Sequence, residues 1–221
     1  MKRLIYLLAF GMLATSCVSS QKYGTYVEQK IKAEPLQEVA QKDWLIVNTP
    51  VTEQKGSNYT KVIYSFIPAL VYWGWNSTIA CELDPQTTAA YVKRGIYEAA
   101  DKLDLQNRLA GRQLVIDIER LPGQFLYENK GNTIFLIFAH VTTGEEAISP
   151  RPTNLMVRYT LLEDGAVVAS GEGLVKNEEQ RLRNVWKSTK KFTWLYLDQF
   201  EKEANRMGSE SVKDILQQLE G

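Results

Sequence analysis

Apolar and polar positions along the chain follow two periods in turn. Trp44-Leu45-Ile46-Val47 is a short β-prone run closed by Asn48-Thr49-Pro50. Gln54 to Tyr59 has turn composition. Lys61 to Ile67 reads as a strand ending at Pro68, an aromatic run from Leu70 to Trp75 follows, and Ser77 to Leu83 forms the next strand. The period then becomes helical. Asp84 is a capping residue, Pro85 suits the first helical position, and Val92, Ile96, Ala99 or Ala100, and Leu103 share one face. With Gly111 as its stop, this predicts a helix over Gln86 to Ala110, lying on a sheet. Alternation by two returns at Leu114, Ile116 and Ile118, until Leu121-Pro122-Gly123 breaks it.

Thr133 to Val141 is apolar on both faces and predicts a central strand, while Glu145 to Thr153, with Pro150 and Pro152, predicts a loop. Leu155 to Leu162 and Ala166 to Gly171 flank Glu163-Asp164-Gly165, a strong hairpin signal. After a charged stretch from Glu178 to Lys191, Phe192, Leu195, Tyr196 and Phe200 mark a helical face. Ser209 is placed to cap a last helix striped by Val212, Ile215, Leu216 and Leu219. The expected fold class is α+β: a single domain with a mainly antiparallel sheet of about five or six strands, one covering helix and C-terminal helices.

The amino end follows neither period. Lys2 and Arg3 precede an apolar run from Leu4 to Leu13, and Ala14-Thr15-Ser16-Cys17 follows. A basic start, a short apolar stretch and small residues make a signal peptide. The run is too short for a bilayer core, which takes about 20 residues. The cysteine after small residues resembles the lipobox of bacterial lipoproteins. Ala14 stands where the usual pattern has Leu, and Ser16 where it has Gly or Ala. The resemblance implies cleavage before Cys17, lipidation of Cys17, and a membrane anchor. Val18 and Ser19 follow the cysteine instead of an aspartate, which by the same resemblance points to the periplasmic face of the outer membrane. The expected division is a signal peptide over 1–16, the lipidated cysteine and a polar tether over 17–42 with room for a short helix around Tyr26 to Ile31, and an α+β domain over 43–221. The order of strand, helix and several strands over Lys61 to Leu174 is similar in topology to accessory lipoproteins of envelope transport and assembly systems. It carries no diagnostic motif, so no functional residue transfers with it.

Composition excludes more than it proposes. The 221 residues are 24% charged with a formal net charge of zero, unlike the basic excess of a nucleic-acid binder. His140 is the one histidine, and in a strand it reads as a hydrogen-bonded structural residue. No zinc-type ligand spacing, EF-hand loop, phosphate-binding glycine motif or Gly-x-Ser-x-Gly elbow occurs. No cofactor is expected. With Cys17 lipidated, Cys81 has no partner and reads as a buried thiol. Asp117 and Glu119 are the nearest approach to a carboxylate pair. They support an alternative, a carboxylate-dependent hydrolase of cell-wall glycan or peptidoglycan.

Two stretches read as binding surfaces. Tyr72, Trp73 and Trp75 crowd three rings into four residues, and such rings favour interfaces and lipid headgroups. Lys190, Lys191 and Trp194 belong to a basic run leading into aromatics, suited to anionic headgroups or glycolipid phosphates. The expected function is a membrane-anchored binding or scaffolding module in envelope assembly or transport, without catalysis. Its expected partners are an envelope protein, a lipid or a glycolipid.

Overall fold

The computed structural model describes residues 18–33, 42–69, 71–136 and 139–220. The signal peptide and Cys17 lie outside them. The architecture is α+β. In chain order the elements are α1 (Ser20–Ala33), β1 (Leu45–Asn48), β2 (Asn58–Pro68), β3 (Tyr72–Glu82), α2 (Pro85–Lys102), α3 (Leu105–Leu109), β4 (Gln113–Arg120), β5 (Gln124–Phe135), β6 (His140–Pro150), β7 (Leu155–Glu163), β8 (Ala166–Val175), β9 (Leu182–Asn184) and α4 (Thr189–Glu220).

Two sheets stand where one was expected. The first is four-stranded, in the order β1-β4-β7-β8, and the second five-stranded, in the order β2-β3-β5-β6-β9. The β1–β4 pair is parallel and the other pairs are antiparallel. Alternation by two orients the first sheet as read. Leu114, Ile116 and Ile118 are at most 2% exposed, while Asp117 and Glu119 take the other face. Asp164 and Gly165 at φ 50° and 80° make the tight primed turn of the β7–β8 hairpin.

The helix expected over Gln86 to Ala110 is two helices. The Asp84 carboxylate accepts from the Thr87 backbone N–H at 3.2 Å, and Pro85 begins α2. Asp104 takes the left-handed conformation at φ 52°, ending α2's path and starting α3. This turn buries Leu105 and Leu109, which α2's own face could not reach.

The largest corrections concern both ends of the chain and the middle. Residues 20–33 of the expected tether form α1, whose Tyr23 and Val27 are fully buried. Tyr23 stacks on Tyr127 with centroids 4.3 Å apart, and Lys30 pairs with Asp198 at 2.6 Å. A stripe of only three buried residues suffices because α1 fills one slot. The polar remainder of its surface hides that stripe from a compositional reading. At the other end, the C-terminal helices are a single helix, α4. Ser209 does not cap; its hydroxyl donates to the Gly95 carbonyl at 3.0 Å. Val212, Ile215 and Leu216 dock on the protein's own core. In the middle, residues 137 and 138 of the expected central strand over Thr133 to Val141 lie outside the described residues, and the others form the paired ends of β5 and β6. Phe135 closes β5 and pairs with His140, which opens β6. The expected loop from Glu145 is mostly strand, because Pro150 sits at the end of β6 where its missing N–H interrupts no ladder.

Helix α4 spans about 48 Å at the standard rise and touches both sheets. Tyr196 packs on Phe125 of the five-stranded sheet, and Gln218 accepts from the Tyr159 hydroxyl of the four-stranded one at 3.2 Å. It crosses α2 in backbone contact. A Cβ on Gly95 would collide with the Asn205 carbonyl, and one on Gly208 with the Val92 carbonyl.

Ala in place of Gly in an open helix stabilises by about 1 kcal/mol. At this crossing the sign reverses. Gly208→Ala is expected to destabilise by about 1–3 kcal/mol, the usual cost of overpacking, read as a lower urea midpoint with an unchanged slope.

Candidate functional site

The register of the five-stranded sheet defines two zones. Ile79, Cys81, Phe125, Tyr127 and Ile148 line one face and are buried. Tyr23 and Tyr196, from α1 and α4, pack against this zone. The cover ends at the rung that carries Ser77, Asn129 and Glu146.

A polar network marks that boundary. The Tyr127 hydroxyl donates to Glu146 at 2.7 Å, as does the Asn184 amide at 2.7 Å. The Thr189 hydroxyl donates to the same carboxylate and fixes the start of α4. The Trp75 indole donates to Asn129 at 2.9 Å. Burial raises the Tyr127 phenol well above its usual range, and its bond to the Glu146 carboxylate adds to the rise. Tyr127 therefore stays a neutral donor.

Beyond this rung β2, β3, β5 and β6 continue as a projecting arm. From Asn129 to Phe135 it extends about 20 Å at the usual strand rise. Among the described residues of 62–69, 71–78, 131–136 and 139–144 there is no Asp, Glu, Lys or Arg. Both faces carry apolar side chains among uncharged polar ones such as Thr133 and Thr142 on one face and Asn132 and Thr143 on the other. Phe66, Trp73, Trp75 and Phe135 lie on the face that continues from the helices. Ile67, Tyr72, Ile134 and Val141 lie on the other. Ile67 is 59% exposed, Val71 58%, Leu136 60% and Val141 52%, so these apolar side chains are a real surface.

Cross-strand contacts hold the arm together without a core. The Trp75 ring lies directly over Gly131, where any Cβ would collide with it. Trp73 meets Phe135 edge-on at 4.8 Å, and the Thr133 and Thr142 hydroxyls are 2.9 Å apart. His140 is exposed at the arm's end, 6.1 Å from the Phe135 ring, instead of inside a central strand.

The arm unites Tyr72, Trp73 and Trp75 but divides them between its faces. Lys190 and Lys191 lie in the first turn of α4, at the base of the arm. Trp194 is structural: its indole donates to the Tyr26 carbonyl at 2.9 Å, and the Lys190 ammonium lies 4.7 Å from its ring. Trp186 escaped the sequence reading and is 94% exposed in the β9–α4 connection. Its signal was a lone aromatic ring inside the charged Glu178 to Lys191 stretch, outside any periodic pattern.

The other candidates are occupied by structural partners. Asp117 accepts from the Asn48 amide at 2.8 Å, and Glu119 pairs with Arg158 at 2.7 Å. A trough of about 420 Å³ lies along α2 and α4, but its Arg94 and Glu201 pair with each other at 2.7 Å. Among the described residues no group of three or more His, Cys, Asp or Glu could hold a metal ion, and no helix is long and apolar enough to cross a membrane.

Cys81 is buried and free, as read, and burial pushes its thiol far up. A thiol reagent should therefore label Cys81 only after denaturation, followed by mass spectrometry; fast labelling of the native protein would contradict this. Burial also raises the Glu179 carboxyl, and the neighbouring Glu203 charge adds to it against opposing bonds from Asn177 and Tyr196. A raised carboxyl contributes stability below its unfolded pKa and loses it as pH rises. The melting temperature of Glu179→Gln relative to wild type should thus climb from about pH 4, the ordinary glutamate range, towards neutrality. A difference that stays flat with pH would refute it.

No protein-family model, curated protein or solved structure matches this chain.

Proposed function

We propose that this protein is a lipid-anchored binding module of the bacterial envelope, with the arm as its working surface. One observation carries the reading: beyond the Lys130–Glu145 rung the described arm carries no Asp, Glu, Lys or Arg and exposes apolar side chains on both faces, on a chain that is 24% charged as a whole. A strand end with uncovered apolar side chains is an aggregation liability unless something occupies it. The resemblance of Ala14-Thr15-Ser16-Cys17 to a lipobox supplies the anchor, and with Val18 and Ser19 behind it the outer membrane is the favoured address. The first turn of α1 sits at the base of the arm, with two residues between it and Cys17 in the sequence, so an anchor there would lie near the binding surface. Asp117 and Glu119, on which a hydrolase would rest, are held by Asn48 and Arg158.

Cys17→Ala should move the protein from the membrane fraction to the soluble fraction. Ile67→Asp with Val141→Asp should leave lipidation and melting temperature unchanged, because both side chains are exposed, yet abolish cross-linking to envelope components. Wild-type protein found soluble with an unmodified Cys17 would overturn the anchor. Undiminished cross-linking by the double variant would overturn the arm as the binding surface.

A further inference from the structure

We infer that the arm and the Trp186 loop are a lipid-contacting surface, entering the headgroup region of the bilayer that holds the N-terminal anchor. This rests on the lipoprotein reading above and names the occupant of the arm. Four observations favour a lipid surface over a protein partner.

The arm exposes apolar side chains on both faces, with only uncharged polar residues among them beyond the Lys130–Glu145 rung. A protein docks on one face and leaves the other wet, whereas an interfacial lipid layer surrounds an inserted tip. Its rings are the types that concentrate at the membrane interface, and beyond the Lys130–Glu145 rung the described arm carries no formal charge to desolvate.

Three separate segments converge on this end. Trp194 bonds to Tyr26 and Asp198 pairs with Lys30, so α1 and α4 run parallel with their amino ends together. Thr189 places those ends at the Glu146 rung. Strand β9 runs towards the arm, with Leu182 opposite Ile148 and Asn184 opposite Glu146, and so delivers exposed Val185 and Trp186 beside its base.

Lysines gather on the helix side of the base. Lys22, Lys187 and Lys191 are exposed there, with Lys190 half-buried beside them. This suits anionic headgroups, which attract clustered lysines near the surface.

The tip's backbone is prepared for a drier medium. Ala69 N–H donates to the Tyr72 carbonyl at 2.8 Å, Leu136 N–H to that of Ala139 at 2.7 Å, and Phe135 N–H to that of Val71 at 2.8 Å. The open edges of β2 and of the outer half of β6 keep unpaired backbone groups that cannot enter hydrocarbon. Contact therefore stops at the headgroup–acyl boundary, about 5–10 Å deep, and takes in only the outer rungs. Because α1 begins at Ser20 at the base of an arm about 20 Å long, an anchor attached just before Val18 requires the arm to approach obliquely.

The experiment uses the full chain with single cysteines at Val71, Leu136 and, as control, Val167 of the β7–β8 hairpin, each carrying an environment-sensitive fluorophore. Cys81 is buried and stays unlabelled. Vesicles of phosphatidylethanolamine and phosphatidylglycerol should blue-shift the Val71 and Leu136 probes, and brominated acyl chains should quench them at least twofold more than the Val167 probe. Neutral phosphatidylcholine vesicles should give a weaker response. Probes that report water while Cys17 is lipidated would overturn the inference and leave the anchor standing. Quenching with Cys17 unmodified would sustain the inference and overturn the anchor. Protection of both probes in a lipid-free dimer, with no response to vesicles, would assign the arm to a second copy of the chain and overturn it as well.

Discussion

The crossing of α2 and α4 is the constraint on which the rest of the molecule depends. Two glycines, Gly95 and Gly208, bring the helix backbones into direct contact, and Ser209 bonds across to the Gly95 carbonyl. Tyr91 meets Phe200 edge-on beside it, and Arg94 pairs with Glu201. That contact fixes α4, and α4 carries residues packed on both sheets at opposite ends. Its first turn is tied to Glu146 and its last turns to Tyr159 and the Glu172 carbonyl. Shift the crossing by one turn, about 5.4 Å, and either the Glu146 network or the Gln218 contacts must break. The two sheets share no strand pairing, so their relative placement depends on this helix and the side chains buried around it.

The arm follows from a mismatch in length. β2, β3, β5 and β6 are 11 or 12 residues long, while the helices end near their middle. The covered half is stabilised by apolar burial. The uncovered half relies on ladder hydrogen bonds, stacked rings and threonine pairs, each worth well under 1 kcal/mol to about that much. The Glu146 network separates the halves. Three donors on one carboxylate hold Tyr127, Asn184 and Thr189 in place, and removing the carboxylate would strand buried donors at a cost of about 1–3 kcal/mol each. This is a rigid foundation for a weakly supported projection.

Local chemistry was legible wherever it acted through neighbours in sequence. The Asp84 cap, the Leu114-Ile116-Ile118 face and the Asp164-Gly165 turn all form as their residues dictate, because each depends on a few adjacent backbone torsions. Cys81 is buried in a strand as expected. What failed depended on distant partners. α1 looked like a tether because its buried stripe is short and its slot is made by Tyr59, Tyr127 and Trp194 from elsewhere. Ser209 looked like a cap because serine caps helices, yet its partner is the carbonyl of a residue far back in the chain. Of the proposed binding residues, Tyr72, Trp73 and Trp75 do lie on one surface element, but their division between two faces is a matter of register. Trp194 is spent on holding α1.

The misreading of Thr133 to Val141 has the most consequence for function. Apolar residues on both faces of a strand report that neither side is meant for bulk water. Inside a soluble domain the usual cause is a central strand with elements packed above and below. Here the segment is the end of a projecting hairpin, with Ile134, Leu136 and Val141 exposed. The hydrophobic pattern was therefore read correctly as chemistry and wrongly as location. Periodicity measures what a side chain avoids and carries no information about what replaces the water. The lipid interface proposed above would meet that demand on both faces at once, and it would also account for the loss of charge from four separate stretches that share nothing but their position in the arm. A core would require apolar residues there but would tolerate charge at the hairpin ends, where strands turn in solvent. The absence of charge from the described ends is the feature that a buried strand does not account for and an immersed tip does.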